Sequence, residues 1–190
     1  MKRYKAQMEE TSFYYSTCTI SHWTGVFQKD AYFQIIIDSF KYCQINKGLI
    51  LHGYVIMPTH LHMITSTINN VSLPEIMRDS KHYASTKIIN TLKDDNNVFY
   101  IELFQSVASK RELEQKYKVW QDEYHPIALK SGAWFNQKLD TLHHNPVRKG
   151  FVERPEQWKY SSARNWLLDD HSIITIQKLN CVYANGAEAP

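Results

Sequence analysis

The sequence predicts an α+β fold, a ferredoxin-like sandwich with a central antiparallel sheet and helices packed on one face. The first observation is the order of segments, β-α-β-β-α-β and then one more helix, across residues 12–144. The second is a turn with a proline at residues 58–59 between two apolar, strand-like runs. The third is size: 190 residues, 43% hydrophobic and 22% charged, suit one domain with a proper core. We predict one domain over residues 1–180 and a flexible tail over residues 181–190.

Four segments have the character of strands. Residues 12–20 are rich in Tyr, Thr and Phe, which favour extended structure. Residues 49–57 predict a second strand, and residues 60–67 predict a third that returns antiparallel to it after the turn. Residues 117–129 predict a fourth strand, interrupted at Pro126.

Two helices of the predicted sandwich carry end signals. Asp30 is a candidate N-cap for a helix over residues 31–46, whose apolar side chains form a stripe at helical spacing. Gly48 stands where the C-terminus of that helix is expected. Residues 72–75 form a capping-box pattern that opens a second helix, which we expect to extend to Thr91.

Two further segments follow the second helix. Residues 98–116 predict a short helix and then a charged linker. Residues 133–144 predict a later helix, which Pro146 stops because the residue before a proline resists the α conformation. Asn145 therefore lies at the C-terminal edge of this later helix.

Charge and cysteine content limit the class of protein. The 22 Lys and Arg against 19 Asp and Glu leave a net charge of +3, a mild basic bias that permits a nucleic-acid partner. Cys18, Cys43 and Cys181 are scattered, which argues against a disulfide framework or a zinc ribbon. The start of the chain has no apolar stretch, and no run is long enough to cross a bilayer. We expect a cytoplasmic protein without a membrane partner.

A pair of alternating histidines is the strongest functional signal. His60 and His62 begin the predicted third strand, with Leu61 between them. Alternate side chains on a strand share a face, so both imidazoles point the same way while Leu61 points into the core. Two such histidines form a ready pair of metal ligands. The alternative is that both are hydrogen-bonded strand residues that hold no metal.

Three stretches, taken in order, carry a resemblance to a known family. Residues 55–62 end in the histidine pair, residues 137–150 contain Asn145-Pro146, and residues 158–164 follow with a Trp and two serines. Together they resemble the REP-associated tyrosine transposases, within the single-tyrosine transposases that carry a His-hydrophobic-His motif. The resemblance extends from about Thr11 to Trp166.

The resemblance implies a mechanism for cutting and rejoining single-stranded or hairpin DNA in transposition. One divalent metal ion, Mg or Mn, would be held by His60, His62 and Asn145. A tyrosine on the later helix would attack a DNA phosphate and become linked to the 5′ end. A phenol is both a fair nucleophile and a fair leaving group, so that link stays reversible without ATP.

The sequence departs from the family pattern at the nucleophile. The tyrosine is expected four residues before Asn145, and that position is Thr141. One helical turn separates the two residues, so Thr141 and Asn145 share one face of the helix as the family pattern requires, but the phenol is missing. Three alternatives stay open: a catalytically inactive DNA-binding relative, a metal-dependent nuclease that uses water, or another tyrosine as nucleophile. The candidates for that tyrosine are Tyr83, Tyr124 and Tyr160.

Other residues near these motifs have two interpretations. His143 and His144 lie beside Asn145 and are alternative ligands. Two sets of basic residues predict contacts with DNA phosphates or, alternatively, are ordinary solvated charge: Arg78, Lys81 and Lys87 on the second helix, and Arg148 and Lys149 after the later helix. An RNA-processing or metal-hydrolase domain is a further alternative, and a homodimer is one option for the assembly.

Overall fold

The structure, a computed structural model, describes residues 13–68, 71–111, 114–122 and 124–179. The sheet formed by these residues has four strands: β1 (Phe13–Thr19), β2 (Leu49–Ile56), β3 (His60–Thr67) and β4 (Ile127–Leu129). Their order across the sheet is β2-β3-β1-β4, and each neighbouring pair is antiparallel. β3 therefore lies inside the sheet, between β1 and β2. The predicted tail, residues 181–190, lies outside the described residues.

The strands and the helices between them follow one another in the order that the sequence predicts. The helices are α1 (Asp30–Asn46), α2 (Leu73–Asp94), α3 (Val98–Lys110), α4 (Gly132–His143), α5 (Asn145–Arg148) and α6 (Ala163–Leu168). The strand order and the β-α-β-β-α-β connectivity are those of a ferredoxin-like sandwich, so the predicted α+β fold is confirmed. The helices are not all on one face as predicted, because α4 packs on the face opposite α1 and α2. Within the described ranges, no helix combines the length and the apolar character needed to span a bilayer.

Some local predictions are wrong in detail. The fourth strand is only three residues long, and residues 117–122 instead pass the end of β1, where Trp120 forms a single bridge with Ile20. Asp30 is not the N-cap of α1, because its carboxylate pairs with Lys159 while Lys29 occupies the cap position. Ser72 is the N-cap of α2 through its backbone carbonyl rather than its side chain.

Alternation along the strands divides the core between the two faces of the sheet. Leu61 and Met63 point to the face that α1 and α2 cover, and they belong to the larger apolar cluster. Ile64 points to the opposite face, where it joins Tyr15 of β1 and Phe135 of α4 in a smaller cluster. His60 and His62 share the parity of Ile64, so they lie on the α4 face.

A glycine on β2 lets α4 approach the sheet closely. A Cβ atom at Gly53 would lie 2.7 Å from Cδ1 of Leu139, which is almost completely buried on α4. The strand is irregular just before Gly53, because the pairing with β3 shifts between Leu51 and Gly53. This close packing holds α4 over the strands that carry the histidines.

Candidate functional site

The candidate site is centred on the two histidines of β3. The ring centroids of His60 and His62 are 4.8 Å apart, with the ring planes at 69°. In the sheet, His62 is paired with Thr17 of β1 and with Val55 of β2, so the strand that carries the pair is held on both sides. His60 is 8% exposed, which makes it a mostly buried side chain that still reaches the surface.

Threonine hydroxyls orient both imidazole rings. Oγ1 of Thr17 lies 2.8 Å from Nδ1 of His62, and Oγ1 of Thr59 lies 2.9 Å from Nδ1 of His60. None of the described residues makes a hydrogen bond to either Nε2 atom. A metal-ligating histidine characteristically has one nitrogen held by a hydrogen-bonding partner while the other binds the metal. The arrangement therefore suits two Nε2 ligands.

Both rings are neutral near pH 7. Burial, assisted by the positive charge of Lys149, lowers the pKa of His60 to about 4. Burial lowers the pKa of His62 to about 3, and His60, Lys138 and Arg148 act in the same direction. Neutral imidazole is the form that binds a metal ion, so neither ring has to lose a proton first.

The charged side chains that act on the histidine pair are basic. Lys138 of α4 lies over the ring of Tyr15, 5.2 Å from its centroid, and Arg148 of α5 donates to the carbonyl of Thr141. Lys149 follows directly after α5. We call Lys138, Arg148 and Lys149 the basic rim. Their charge favours an anion, such as a phosphate group, at the histidine pair.

A metal ion at this site would need a third ligand of another type. Among the described residues, no group of three or more His, Cys, Asp or Glu is placed to hold a metal. Asn145 is the first residue of α5, and two residues that act on the pair, Arg148 and Lys149, lie at the end of the same short helix. Its side-chain amide has no hydrogen bond to any described residue. The oxygen of that amide and the oxygens of a bound phosphate are suitable ligands for a hard divalent ion.

Thr141 does not offer a free hydroxyl at the nucleophile position. Its Oγ1 donates to the carbonyl of Gln137, 2.8 Å away and one turn earlier on α4. Such a bond to the preceding turn is a common way for threonine to satisfy its hydroxyl inside a helix. The position is therefore locally stable without any ligand.

The tyrosines considered as replacements lie elsewhere. Tyr124 accepts a hydrogen bond from Ser16, 3.2 Å away, which is on the opposite face of the sheet from the histidines. Tyr160 stacks on Phe33 of α1, with centroids 4.3 Å apart, and that contact is also on the α1 face. Tyr83 is on α2. The sheet separates Tyr124 and Tyr160 from the histidine pair, so neither fits the role of nucleophile there.

Sequence reasoning missed the tyrosine that does contact the pair. Tyr15 stacks on His62, with centroids 5.5 Å apart and planes at 23°. Burial raises the pKa of Tyr15, while a hydrogen bond from Thr17 and the charge of Arg148 lower it. The alternation of Tyr15 and Thr17 along β1 places both side chains on one face of the strand. It points to the histidine pair only once β1 is known to lie beside β3.

The two histidines next to Asn145 are engaged elsewhere. Nε2 of His143 lies 2.8 Å from Oγ of Ser162, and the ring is almost completely buried. Burial lowers the pKa of His143 to about 3, so it is a neutral structural residue. His144 pairs with Asp140 of the same helix, 2.9 Å away. Neither arrangement resembles that of His60 and His62.

The predicted DNA contacts separate into two surfaces. Arg148 and Lys149 belong to the basic rim. Arg78 and Lys81 instead line a cavity of about 340 Å³ between α2 and residues 117–122, beyond the other face of the sheet. Lys87, also on α2, lies over the ring of Tyr83 at 5.8 Å. One compact ligand at the histidine pair would therefore contact the rim but not the basic residues of α2.

Comparisons with known proteins identify a solved structure of the same fold but no protein of closely similar sequence. No protein-family model matches the chain. No curated protein matches it either. A solved REP-associated tyrosine transposase, bound to a REP hairpin, has 14% sequence identity and a TM-score of 0.64, over 96% of this chain and 93% of that one. A protein from Deinococcus radiodurans assigned as a transposase has 13% identity and a TM-score of 0.47, over 75% of this chain and 98% of that one. This chain has the fold of the first of these transposases.

Proposed function

We propose that this chain is a transposase-type protein that binds single-stranded or hairpin DNA over the histidine pair, together with one divalent metal ion. The observation that carries the proposal is the state of the two rings: each Nδ1 is held by a threonine, while each Nε2 has no described partner. The structural likeness to a transposase bound to a REP hairpin supports DNA as the ligand class. The free, buried thiols of Cys18 and Cys43 support a reducing cytoplasm.

The residues of the site have distinct roles in this proposal. His60, His62 and Asn145 would hold the metal ion, and imidazole ligands favour Mn²⁺ over Mg²⁺. When bound, the metal supplies polarisation of a non-bridging phosphate oxygen. The basic rim attracts the DNA backbone and orients the phosphate towards the pair, an electrostatic contribution that salt weakens.

We propose that the phosphotyrosine reaction is absent at position 141. That reaction needs a phenol oxygen to form a bond to phosphorus while the bond to the 3′ oxygen breaks and that oxygen takes a proton. Thr141 has an alcohol of much higher pKa, and its Oγ1 is already bonded to the carbonyl of Gln137. The protein would then bind hairpin DNA without forming a covalent adduct.

A second candidate function is strand cleavage by a different tyrosine. Tyr15 stacks on His62 and is acted on by Arg148, so its phenol lies on the correct face of the sheet. Its pKa is raised by burial, which disfavours the phenolate that attacks phosphorus. For this reason we place adduct formation second to binding alone.

The test combines binding with a search for covalent products. A labelled hairpin DNA with a single-stranded 5′ extension is incubated with protein and Mn²⁺, and affinity is measured by fluorescence anisotropy. We expect binding that falls with salt and that Mn²⁺ strengthens; His62→Ala should lose the effect of Mn²⁺ but keep the salt dependence. No binding by the wild-type protein would refute the proposal. Sedimentation of the complex tells a monomer from a homodimer.

Denaturing gels of the same reactions separate the chemical alternatives. We expect no shifted protein band from the wild-type chain and a shifted band from Thr141→Tyr. A wild-type band that Tyr15→Phe abolishes would establish the second candidate instead. DNA cleavage without a band would indicate hydrolysis by water, and tighter binding of a matched RNA hairpin would favour an RNA-processing role.

A further inference from the structure

We infer that Trp23 forms the wall of a binding site for one unpaired base of the DNA strand that crosses the histidine pair. The inference rests on the proposed function and deepens it by assigning a stacking residue. Trp23 is 59% exposed, although it is among the largest apolar side chains. Its indole meets the ring of His60 edge-on, with centroids 5.5 Å apart and planes at 71°. A base stacked on it would lie next to the metal ligands.

The backbone holds Trp23 in this exposed position. Residues Ser21–Trp23 form one tight turn, in which His22 and Trp23 both have left-handed φ angles, 56° and 55°. Side chains other than glycine rarely adopt this region, and two in succession require support from their surroundings. Here the support is clear: Ser21 N donates to the carbonyl of Val119, and Trp23 N donates to the carbonyl of Ile20. The indole is therefore presented by a fixed turn rather than a loose loop.

A cavity of suitable size opens beside the indole. Its volume is about 350 Å³, near the lower end of the roughly 300–1,000 Å³ typical of small-ligand sites, which is the size range of a single nucleotide. Trp23 and His22 form one side, and the segment that contains Lys118 and Gln121 forms another. Trp23 is thus shared between the cavity and the histidine pair.

The charges and polar groups of the cavity suit a nucleotide. Arg111, Lys118 and Asp122 all line it, and Asp122 pairs with both of the basic side chains. Two cations against one anion leave a positive charge for a phosphate. Gln121 donates through its Nε2 to the carbonyl of Ile20, 3.3 Å away, which fixes the amide at the cavity wall. An aromatic face with adjacent cations is the usual design of a site that stacks single-stranded bases.

The experiment compares two DNA probes: a hairpin with a single-stranded 5′ extension and the same hairpin with a blunt end. Trp23→Ala should weaken binding of the extended probe by about 5- to 150-fold, the range for one stacked base, and leave the blunt probe unchanged. Trp23→Phe should retain most of the affinity because it keeps an aromatic face. Trp134→Ala removes another exposed tryptophan, on α4, and should change neither affinity.

Each outcome decides the inference. If Trp23→Ala and the wild-type chain bind the extended probe with equal affinity, the inference about Trp23 is overturned. The proposed function still stands in that case, provided that the wild-type chain binds both probes. Failure of the wild-type chain to bind either probe removes the proposed function and this inference with it. If Trp23→Ala does not fold, Trp23→Leu replaces it, since leucine keeps bulk without a π face. An RNA extension bound more tightly than DNA would overturn the assignment to DNA.

Discussion

The hydroxyl of Thr17 offers the sharpest test of the candidate metal site. Thr17→Val keeps the size and the branched shape of the side chain but removes the group that lies 2.8 Å from Nδ1 of His62. The ring then loses the partner that fixes its orientation, and Nδ1 is left without a hydrogen bond in a mostly buried setting. Leaving such a group unsatisfied costs about 1–3 kcal/mol.

The expected effect is larger on metal affinity than on folding. Loss of the group that orients a metal-ligating histidine typically weakens metal binding by about 10- to 100-fold, and we expect that range for Mn²⁺ measured by electron paramagnetic resonance in the presence of hairpin DNA. Thr67→Val is the matched control, because Thr67 lies at the far end of β3 and its hydroxyl bonds the carbonyl of Val71. If Thr17→Val bound Mn²⁺ as tightly as the control, His62 would not be a metal ligand.

Three further predictions concern pH, salt and ligand coupling. The pKa values of His60, His62 and His143 are lowered in the folded chain to about 4, 3 and 3, so below pH 6.5 the unfolded chain binds protons that the folded chain excludes. The free energy of unfolding should therefore fall as the pH falls from 6.5 towards 4, by up to about 1.4 kcal/mol per pH unit for each histidine; urea titrations that give the same value at pH 7 and pH 5 would contradict this. Lys138→Ala should reduce the slope of log affinity for DNA against log salt by about one, and an unchanged slope would mean that Lys138 contacts no phosphate. Mn²⁺ should bind at least about fivefold more tightly with DNA than without it, because the DNA phosphates neutralise the basic rim. The affinity for DNA should rise by the same factor when Mn²⁺ is present. Calorimetric titrations in which the two ligands bind independently would count against a shared site.

Local sequence signals predicted the elements of the site well. The third strand was predicted over residues 60–67, and β3 has those bounds, because the Pro58-Thr59 turn marks one end and alternation marks the face of each side chain. The later helix was predicted over residues 133–144, and α4 (Gly132–His143) agrees with that prediction within a residue at each end. Local patterns suffice here because hydrophobic spacing and a nearby proline determine these boundaries.

The contacts of the site depended on pairing that no local pattern specifies. Thr17 and Tyr15 reach His62 because β1 lies beside β3 in one register, and a shift of one residue would move both to the opposite face. The fourth strand was predicted too long for a similar reason: Tyr117, Val119 and Trp120 have the residue types of a strand, but they pack against the core near the end of β1 and do not join the sheet as a strand. Trp23 was missed because its exposure follows from backbone angles that nothing in its own residue type predicts.

The energetics of the site separate binding from chemistry. Two neutral imidazoles lie close to the three cations of the basic rim, and each ring is hydrogen-bonded at one nitrogen only. Neither feature stabilises the folded chain in the absence of a ligand. A metal ion and a phosphate would satisfy both the rings and the rim. Thr141, in contrast, has its hydroxyl satisfied within α4 and gains nothing from a ligand. This contrast between the histidine pair and Thr141 supports the proposal that the protein binds DNA without forming a covalent link to it.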